Sequence, residues 1–287
     1  MATLVSERIG QLFIEGDRME YTEYGSGESW VVLVHAQLAP RRMHQPLARA
    51  IAAEGFHVVT VDLLGHGRSD RPVDPMQYSM TAFGEQVIEL LDHLGAAQAV
   101  IGGTSLGANV SLEVADVAPE RVKGMLLEMP VLDNAVEAGI LAFAPLMFAA
   151  RFAPLSITAV RAVTKMVPRG IVPFWAGIVL DTLNQRPAPM AAAIHGIFFG
   201  RVAPSSKLRR RIAAPALVIG HPRDPVHPWA DAAMLADEMP NARFVAARGI
   251  LEWRVRPHRL TREAIEFVAE CWSPATRRHS RKSVRPT

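Results

Sequence analysis

Gln98-Ala99-Val100-Ile101-Gly102-Gly103-Thr104-Ser105-Leu106-Gly107-Ala108 is the stretch that decides the fold. Residues 98–102 read as a short buried strand, and residues 108–117 read as a helix. Between them the chain must turn sharply through Gly103-Thr104-Ser105-Leu106-Gly107. A serine on such a turn is held in a strained backbone conformation, and glycines two residues away on either side leave room for it. The turn lifts the Ser105 Oγ out of the sheet and aims the next backbone N–H at the same point, which suits attack on a carbonyl. As a bare pattern G-x-S-x-G is common, and a Gly-rich phosphate loop or an ordinary turn is the bland alternative. The strand before it and the helix after it favour a nucleophile.

Outward from this turn, strands alternate with helices. Residues 11–14 and 19–24 form a hairpin turning at Gly16-Asp17. Trp30–Val34 is a near-continuous apolar run, the mark of a strand buried on both faces. Residues 46–54 read as a helix with proline in its first turn and Gly55 closing it. Then come a strand at His57–Asp62 and a helix at 81–94. Beyond the serine turn lie strands at Val122–Glu128, 215–220 and 243–247, with helices at 230–238 and 260–271. The alternation predicts an α/β fold with a mostly parallel central sheet flanked by helices. It stops between Leu132 and Ala214, where the chain is rich in Ala, Met, Phe and Pro. Pro145, Pro154, Pro168, Pro173, Pro187 and Pro189 are expected to cut this segment into short helical pieces, a cap over the C-terminal edge of the sheet. The expected division is a core at 1–131, a cap at 132–214, the rest of the core at 215–272 and a disordered basic tail at 273–287.

The chain has 287 residues, 49% of them apolar, enough for a sizeable core. Five of its 31 Lys and Arg residues fall in 273–287, so the remainder carries 26 basic against 28 acidic side chains and no nucleic-acid groove is expected. Cys271 is the single cysteine, which excludes an internal disulfide, and its place in the closing helix argues against a catalytic thiol. Residues 1–7 lack a charged start followed by an apolar run, so a cytoplasmic protein without a secretory signal is expected. The longest apolar stretch, 138–150, is too short to span a bilayer and contains Pro145; a buried or lid helix is expected, and no membrane insertion.

Taken together, these motifs resemble the α/β-hydrolase superfamily in its capped, esterase-like branch, over residues 10–272. Besides the serine turn, Asp62-Leu63-Leu64-Gly65-His66-Gly67-Arg68-Ser69 resembles the D-x-x-G-x-G-x-S turn after strand 4. Val34-His35-Ala36-Gln37 resembles the loop after strand 3, with Ala36 where glycine is common. Asp224-Pro225-Val226-His227-Pro228 follows strand 7, where the family places its acid. The resemblance implies Ser105 as nucleophile, the backbone N–H groups of Leu106 and Gln37 as oxyanion donors, and Asp224 as acid. Glu128, at the end of strand 6, is the reserve acid, and Asp133 a weaker one. His35 is expected to be a structural hydrogen-bonder of its loop.

The histidine departs from the pattern. Aligning Gly249 and Pro257 with the family's loop after strand 8 places Ile250 where the catalytic histidine belongs, and isoleucine cannot accept a proton. Three replacements are open: His227 on the loop of Asp224, His258 at the start of the last helix, and Glu252 if burial raised its pKa. Of these His227 is preferred.

The cap offers Phe143, Met147, Phe148, Phe152, Phe174, Trp175, Phe198 and Phe199 as apolar lining. Met43, Phe143, Met147 and Phe198 are the expected substrate contacts, although the spacing of 143 and 147 equally suits cap core. No metal-ligand spacing, P-loop or dinucleotide fingerprint is present, so no metal or cofactor is expected. The leading expectation is a serine hydrolase acting on a small to medium apolar carboxylic ester or lactone through an acyl-enzyme on Ser105. The alternatives are a weak or inactive binder of an apolar ligand, and a non-hydrolytic acyltransferase, lyase or perhydrolase on the same scaffold.

Overall fold

The computed structural model describes residues 5–273; the start of the chain at 1–4 and all but the first residue of the tail expected at 273–287 lie outside the described residues. Eight strands form one sheet: β1 (Glu7–Ile14), β2 (Asp17–Tyr24), β3 (Trp30–Val34), β4 (His57–Asp62), β5 (Ala99–Thr104), β6 (Val122–Glu128), β7 (Ala216–Gly220) and β8 (Ala242–Ala246). Their order is β1-β2-β4-β3-β5-β6-β7-β8. β2 runs antiparallel to β1 and β4, and every pairing from β4 to β8 is parallel. Helices α1 (Gln45–Ala53), α2 (Met80–His93) and α3 (Leu106–Val117) belong to the first part of the core. α4 (Val136–Phe152), α5 (Pro154–Met166), α6 (Phe174–Leu183) and α7 (Pro187–Phe198) lie between β6 and β7. α8 (Ser206–Arg209), α9 (Trp229–Glu238), α10 (Glu252–Val255) and α11 (His258–Trp272) complete the helices of the described residues.

Strands covered on both faces can be apolar throughout, and β5 and β7 are buried at every position. One hydrophobic layer gathers Phe83 and Leu90 of α2, Leu112 of α3 and Leu235 of α9 on one face. On the other, Ile51 of α1 and Leu260 and Phe267 of α11 cover Val31, Leu33 and Leu217. β8, at the edge, has no fully buried residue.

Local chemistry accounts for three departures from expectation. The first hairpin turns at Glu15 and Gly16, both with positive φ (51° and 95°), and Asp17 already pairs with Ile14. Two left-handed residues match the twist of a tight hairpin. Secondly, Pro145 does not divide the first α-helix after β6, and α4 runs 17 residues through it. Pro145 is exposed, so the helical carbonyl it leaves without a donor can turn to water. The outer face of that helix is not buried either: Leu141 is 78% and Phe152 73% exposed.

The third concerns the serine turn. β5 continues to Thr104 and α3 begins at Leu106, so Ser105 alone makes the turn, at φ 54° and ψ −106°. The turn can be this tight because two glycines let three segments meet. A Cβ on Gly103 or on Gly107 would sit 2.1 Å from the Val34 carbonyl oxygen of β3. Since that neighbour is backbone, neither clash can be relieved by a rotamer change. Gly103→Ala is expected to destabilise the protein by about 2 kcal/mol or more in urea unfolding; an unchanged midpoint would show that the sheet gives way at this point.

Candidate active site

Ser105 is fixed from both sides. Its N–H donates to the Glu128 carbonyl across the sheet (2.9 Å), and its own carbonyl accepts the Asn109 N–H of α3 (3.1 Å). The hydroxyl is left at the C-terminal edge of the sheet, where the loop after β7 reaches it. His227 Nε2 lies 2.9 Å from Ser105 Oγ, and His227 Nδ1 lies 3.1 Å from Asp224 Oδ2. With Nδ1–H donated to the carboxylate, Nε2 keeps a lone pair facing the hydroxyl. The other carboxylate oxygen of Asp224 accepts the backbone N–H groups of Val226 (2.8 Å) and His227 (2.9 Å). This closed turn, with prolines at 225 and 228, holds acid and imidazole as one unit. Burial alone would raise the Asp224 pKa, but the hydrogen bonds and charge of His227 outweigh it and hold the carboxyl below its ordinary value.

The loop after β3 supplies the facing surface. His35 is buried; its Nε2 accepts the Leu63 N–H (3.1 Å) and its Nδ1–H donates to the Ala36 carbonyl (2.9 Å). Because a trans peptide points its C=O and N–H in opposite directions, pinning the Ala36 carbonyl fixes the direction of the Gln37 N–H. The Gln37 side chain meets His66 (3.1 Å), and Leu38 follows with φ 62°. Leu106, the first residue of α3, has no intrahelical acceptor for its N–H. Asp62 organises the next turn: its carboxylate is ion-paired with the buried Arg41 and accepts the Arg68 N–H (2.9 Å), while Ser69 Oγ–H donates to its carbonyl.

The sequence profile described as "alpha/beta hydrolase fold" matches residues 29–249. The chain belongs to the alpha/beta hydrolase fold family. Two curated relatives are similar over less than half of its length. The dihydrolipoyllysine-residue acetyltransferase component of the acetoin cleaving system of Pseudomonas putida is 39% identical over 106 residues, 36% of this chain and 27% of that protein. Lipase 1 of Psychrobacter immobilis is 34% identical over 115 residues, 39% of this chain and 35% of that one. The chain thus spans about a third or less of the length of these relatives. Among solved structures, the enol-lactonase of Burkholderia xenovorans LB400 superimposes with a TM-score of 0.73 at 21% identity, covering 91% of this chain and all (100%) of that one, a likeness of fold.

In this alpha/beta hydrolase fold protein the other sequence-derived acids and bases lie elsewhere. Glu252 is ion-paired with Arg259, whose hydrogen bonds lower its pKa, the opposite of what a base there requires. His258 opens α11 and lines a separate cavity of about 520 Å³ beside α1. Asp133 is exposed, 3.7 Å from Arg209. Glu128 is buried and serves a network that the sequence did not reveal. Thr104 Oγ–H and Arg254 Nη2 (2.7 Å) both donate to its Oε2. His221 Nε2 stands 3.1 Å from Oε1, off the line of a hydrogen bond, while its Nδ1–H reaches the Gly249 carbonyl (3.1 Å). Burial would raise the Glu128 pKa, but the Arg254 guanidinium and the His221 imidazole reverse that and keep it well below the ordinary range. Arg254 also lies 5.0 Å from the Trp175 ring, tying α10 to α6. No short-range pattern in the sequence joins 104, 128, 221 and 254; only the sheet does.

The expected apolar contacts divide. Phe143, Met147 and Phe198, from α4 and α7, pack with Leu38 of the loop after β3 and with Met190 and Ile194. Met43 lies beneath α6 with Ala36, Ile178 and Trp175. Phe148 and Phe152 stack on each other at the outer surface, and Phe199 is exposed, so these three face away from the interior. Among the described residues no single helix is long and apolar enough to cross a membrane; α4 and α5 pass only as a pair bent by 104°.

His44 is buried, with Nε2–H donating to the Val34 carbonyl (3.0 Å); burial, reinforced by Arg254, lowers its pKa to about 4. Burial lowers His35 and His66 as well. Groups whose folded pKa is depressed take up protons first in the unfolded chain, so their contribution is complete above the ordinary histidine value. It is lost as pH falls from about 6.5 towards 4. His44 alone accounts for a loss on the order of 3 kcal/mol across that window. Urea midpoints measured from pH 7.5 to 4.5 should decline steadily; a flat profile would mean that these imidazoles are not buried as neutral groups.

Proposed function

We propose that this protein is a serine hydrolase cleaving a small to medium apolar carboxylic ester or lactone, with Ser105 as nucleophile, His227 as general base and Asp224 as its orienting acid. The observation that carries the reading is the unbroken contact from Asp224 Oδ2 through the His227 imidazole to Ser105 Oγ, at 3.1 and 2.9 Å, on a strained turn. His227 takes the hydroxyl proton as Oγ bonds to the substrate carbonyl carbon. The carbonyl oxygen gains negative charge and is met by the N–H groups of Leu106 and Gln37. Collapse of the tetrahedral intermediate breaks the C–O bond, and the alkoxide leaves with the proton from His227. Water, losing a proton to the same imidazole, then attacks the acyl-enzyme; the acid is released and Ser105 recovers its proton.

Support for the substrate class comes from chemistry at the cap. Phe143, Met147 and Phe198 pack against Leu38, one residue beyond the proposed oxyanion donor Gln37, and offer an apolar surface for an acyl or alcohol group. The likeness to a lipase and, in fold, to an enol-lactonase points the same way. Ile250 leaves the reaction with its base because His227 approaches Ser105 from β7 instead of β8.

The test is hydrolysis of p-nitrophenyl esters from acetate to decanoate. Ser105→Ala and His227→Ala should each lose at least about 10³-fold in kcat/KM, whereas His258→Ala stays at the wild-type rate. A fluorophosphonate probe should label Ser105. Wild-type rates indistinguishable from Ser105→Ala across the series would overturn the proposal.

A further inference from the structure

A second feature lies where cap and core meet, away from the serine. A cleft of about 470 Å³ is walled on the core side by Arg18, Arg68 and Arg71, and on the cap side by Arg161, Lys165 and Arg186. Arg161 and Lys165 are one turn apart on α5, and Arg186 caps the start of α7. Two acids border the same space, Asp17 and Asp70, and Asp70 is already paired with Arg18. Among the described residues, the side chains of Arg68, Arg161, Lys165 and Arg186 have no carboxylate within ion-pair distance. Like charges facing each other across a seam repel, and the repulsion grows as water is excluded.

Arg71 sharpens the point. It is half-buried, and burial together with the charges of Arg186 and Arg161 lowers its pKa despite the attraction of Asp62. Asp62 itself is committed to Arg41. Three of the five Arg71 N–H donors are used, on the carbonyls of Gly65 (2.7 Å) and Gly67 (2.8 Å) and on Gln185 Oε1. That leaves Nε–H and one Nη2–H free. Arg161 Nε is shielded from solvent and has no hydrogen-bond partner. A buried guanidinium without a carboxylate is costly unless an anion completes it.

We infer that this cleft binds a phosphate-class anion, a phosphate or pyrophosphate group on a soluble small molecule, clamped between Arg71 of the core and Arg161, Lys165 and Arg186 of the cap. Guanidinium forks match the spacing of phosphate oxygens, and several converging cations favour a multiply charged ligand over a single carboxylate. The concave shape and the cations on both walls suit a compact group more than a flat lipid surface. Bound there, the anion would cross-link cap to core. It would also touch the path from Arg71 through Gln185, whose Nε2–H donates to the Leu38 carbonyl (2.9 Å) of the proposed oxyanion loop.

The test is calorimetric titration of the whole chain with inorganic pyrophosphate, in phosphate-free buffer at fixed ionic strength. One saturable site is expected. Arg161→Glu with Arg186→Glu should weaken it by at least about tenfold, Arg161→Gln less, and Ser105→Ala not at all. A failed hydrolase reading would therefore leave this result intact. Urea unfolding separates a lost site from a lost fold: without the anion, the charge reversals should not lower the midpoint. Absence of saturable heat, or equal binding by wild type and the double variant, would overturn the inference. So would sedimentation with phosphatidylglycerol vesicles in the absence of pyrophosphate binding, which would assign the cleft to a membrane surface; vesicle binding that pyrophosphate competes away would support it.

Discussion

Everything at the site depends on how closely one carbonyl can be approached. The Val34 oxygen, at the end of β3, has Gly103 and Gly107 packed against it and accepts the His44 Nε2–H. This single atom sets the separation between the loop that begins at His35 and the turn that holds Ser105. In the proposed mechanism this separation is what lets the N–H groups of Gln37 and Leu106 act on one oxygen. The constraint is steric and therefore rigid: the Ser105 backbone strain is sustained because sheet, helix and loop over-determine its conformation. Burial and the charge of Arg254 together hold His44 neutral there, against the hydrogen bond to Val34, which favours the protonated form.

Two carboxylates lie close to Ser105, each in its own setting. Asp224 is compensated by His227 and by two backbone donors, all from its own loop. Glu128 is compensated from three directions, by Thr104 beneath the serine, by Arg254 from α10 and by His221 from the end of β7. Neither carboxylate is left bare, as burial demands. The second setting touches the first only through the backbone, since Ser105 N–H donates to the Glu128 carbonyl and His221 lies three residues before Asp224. Glu128 thus stabilises the sheet edge beneath Ser105. The space next to Gly249, where the family's histidine would sit, is served by the His221 ring.

Much of this was legible because it is local. Apolar runs bounded by polar residues delimit β4 and β6 to the residue, and the motifs at 62–69 and 103–107 mark turns that only glycine permits. His227 was only a preference, since spacing places it near Asp224 but says nothing about Ser105, 122 residues away. The Glu128 network was hidden for the same reason: an acid inside an apolar run announces a partner without naming it. The cap misled in another way. Its prolines and aromatics are read one by one in sequence, whereas exposure decides both that Pro145 is harmless and that Phe148 and Phe152 face outward.

With carboxylate and imidazole three residues apart, only one distance in the set spans separate elements, that from Nε2 to Oγ. The joint has two parts and a single point of play. Breathing of the sheet edge carries the pair as a unit, and neither β8 nor α11 contributes a side chain to it. Two short segments, 103–107 and 224–227, carry the contacts among Asp224, His227 and Ser105, and α10 bears on them only through Arg254, on the carboxylate beneath Ser105.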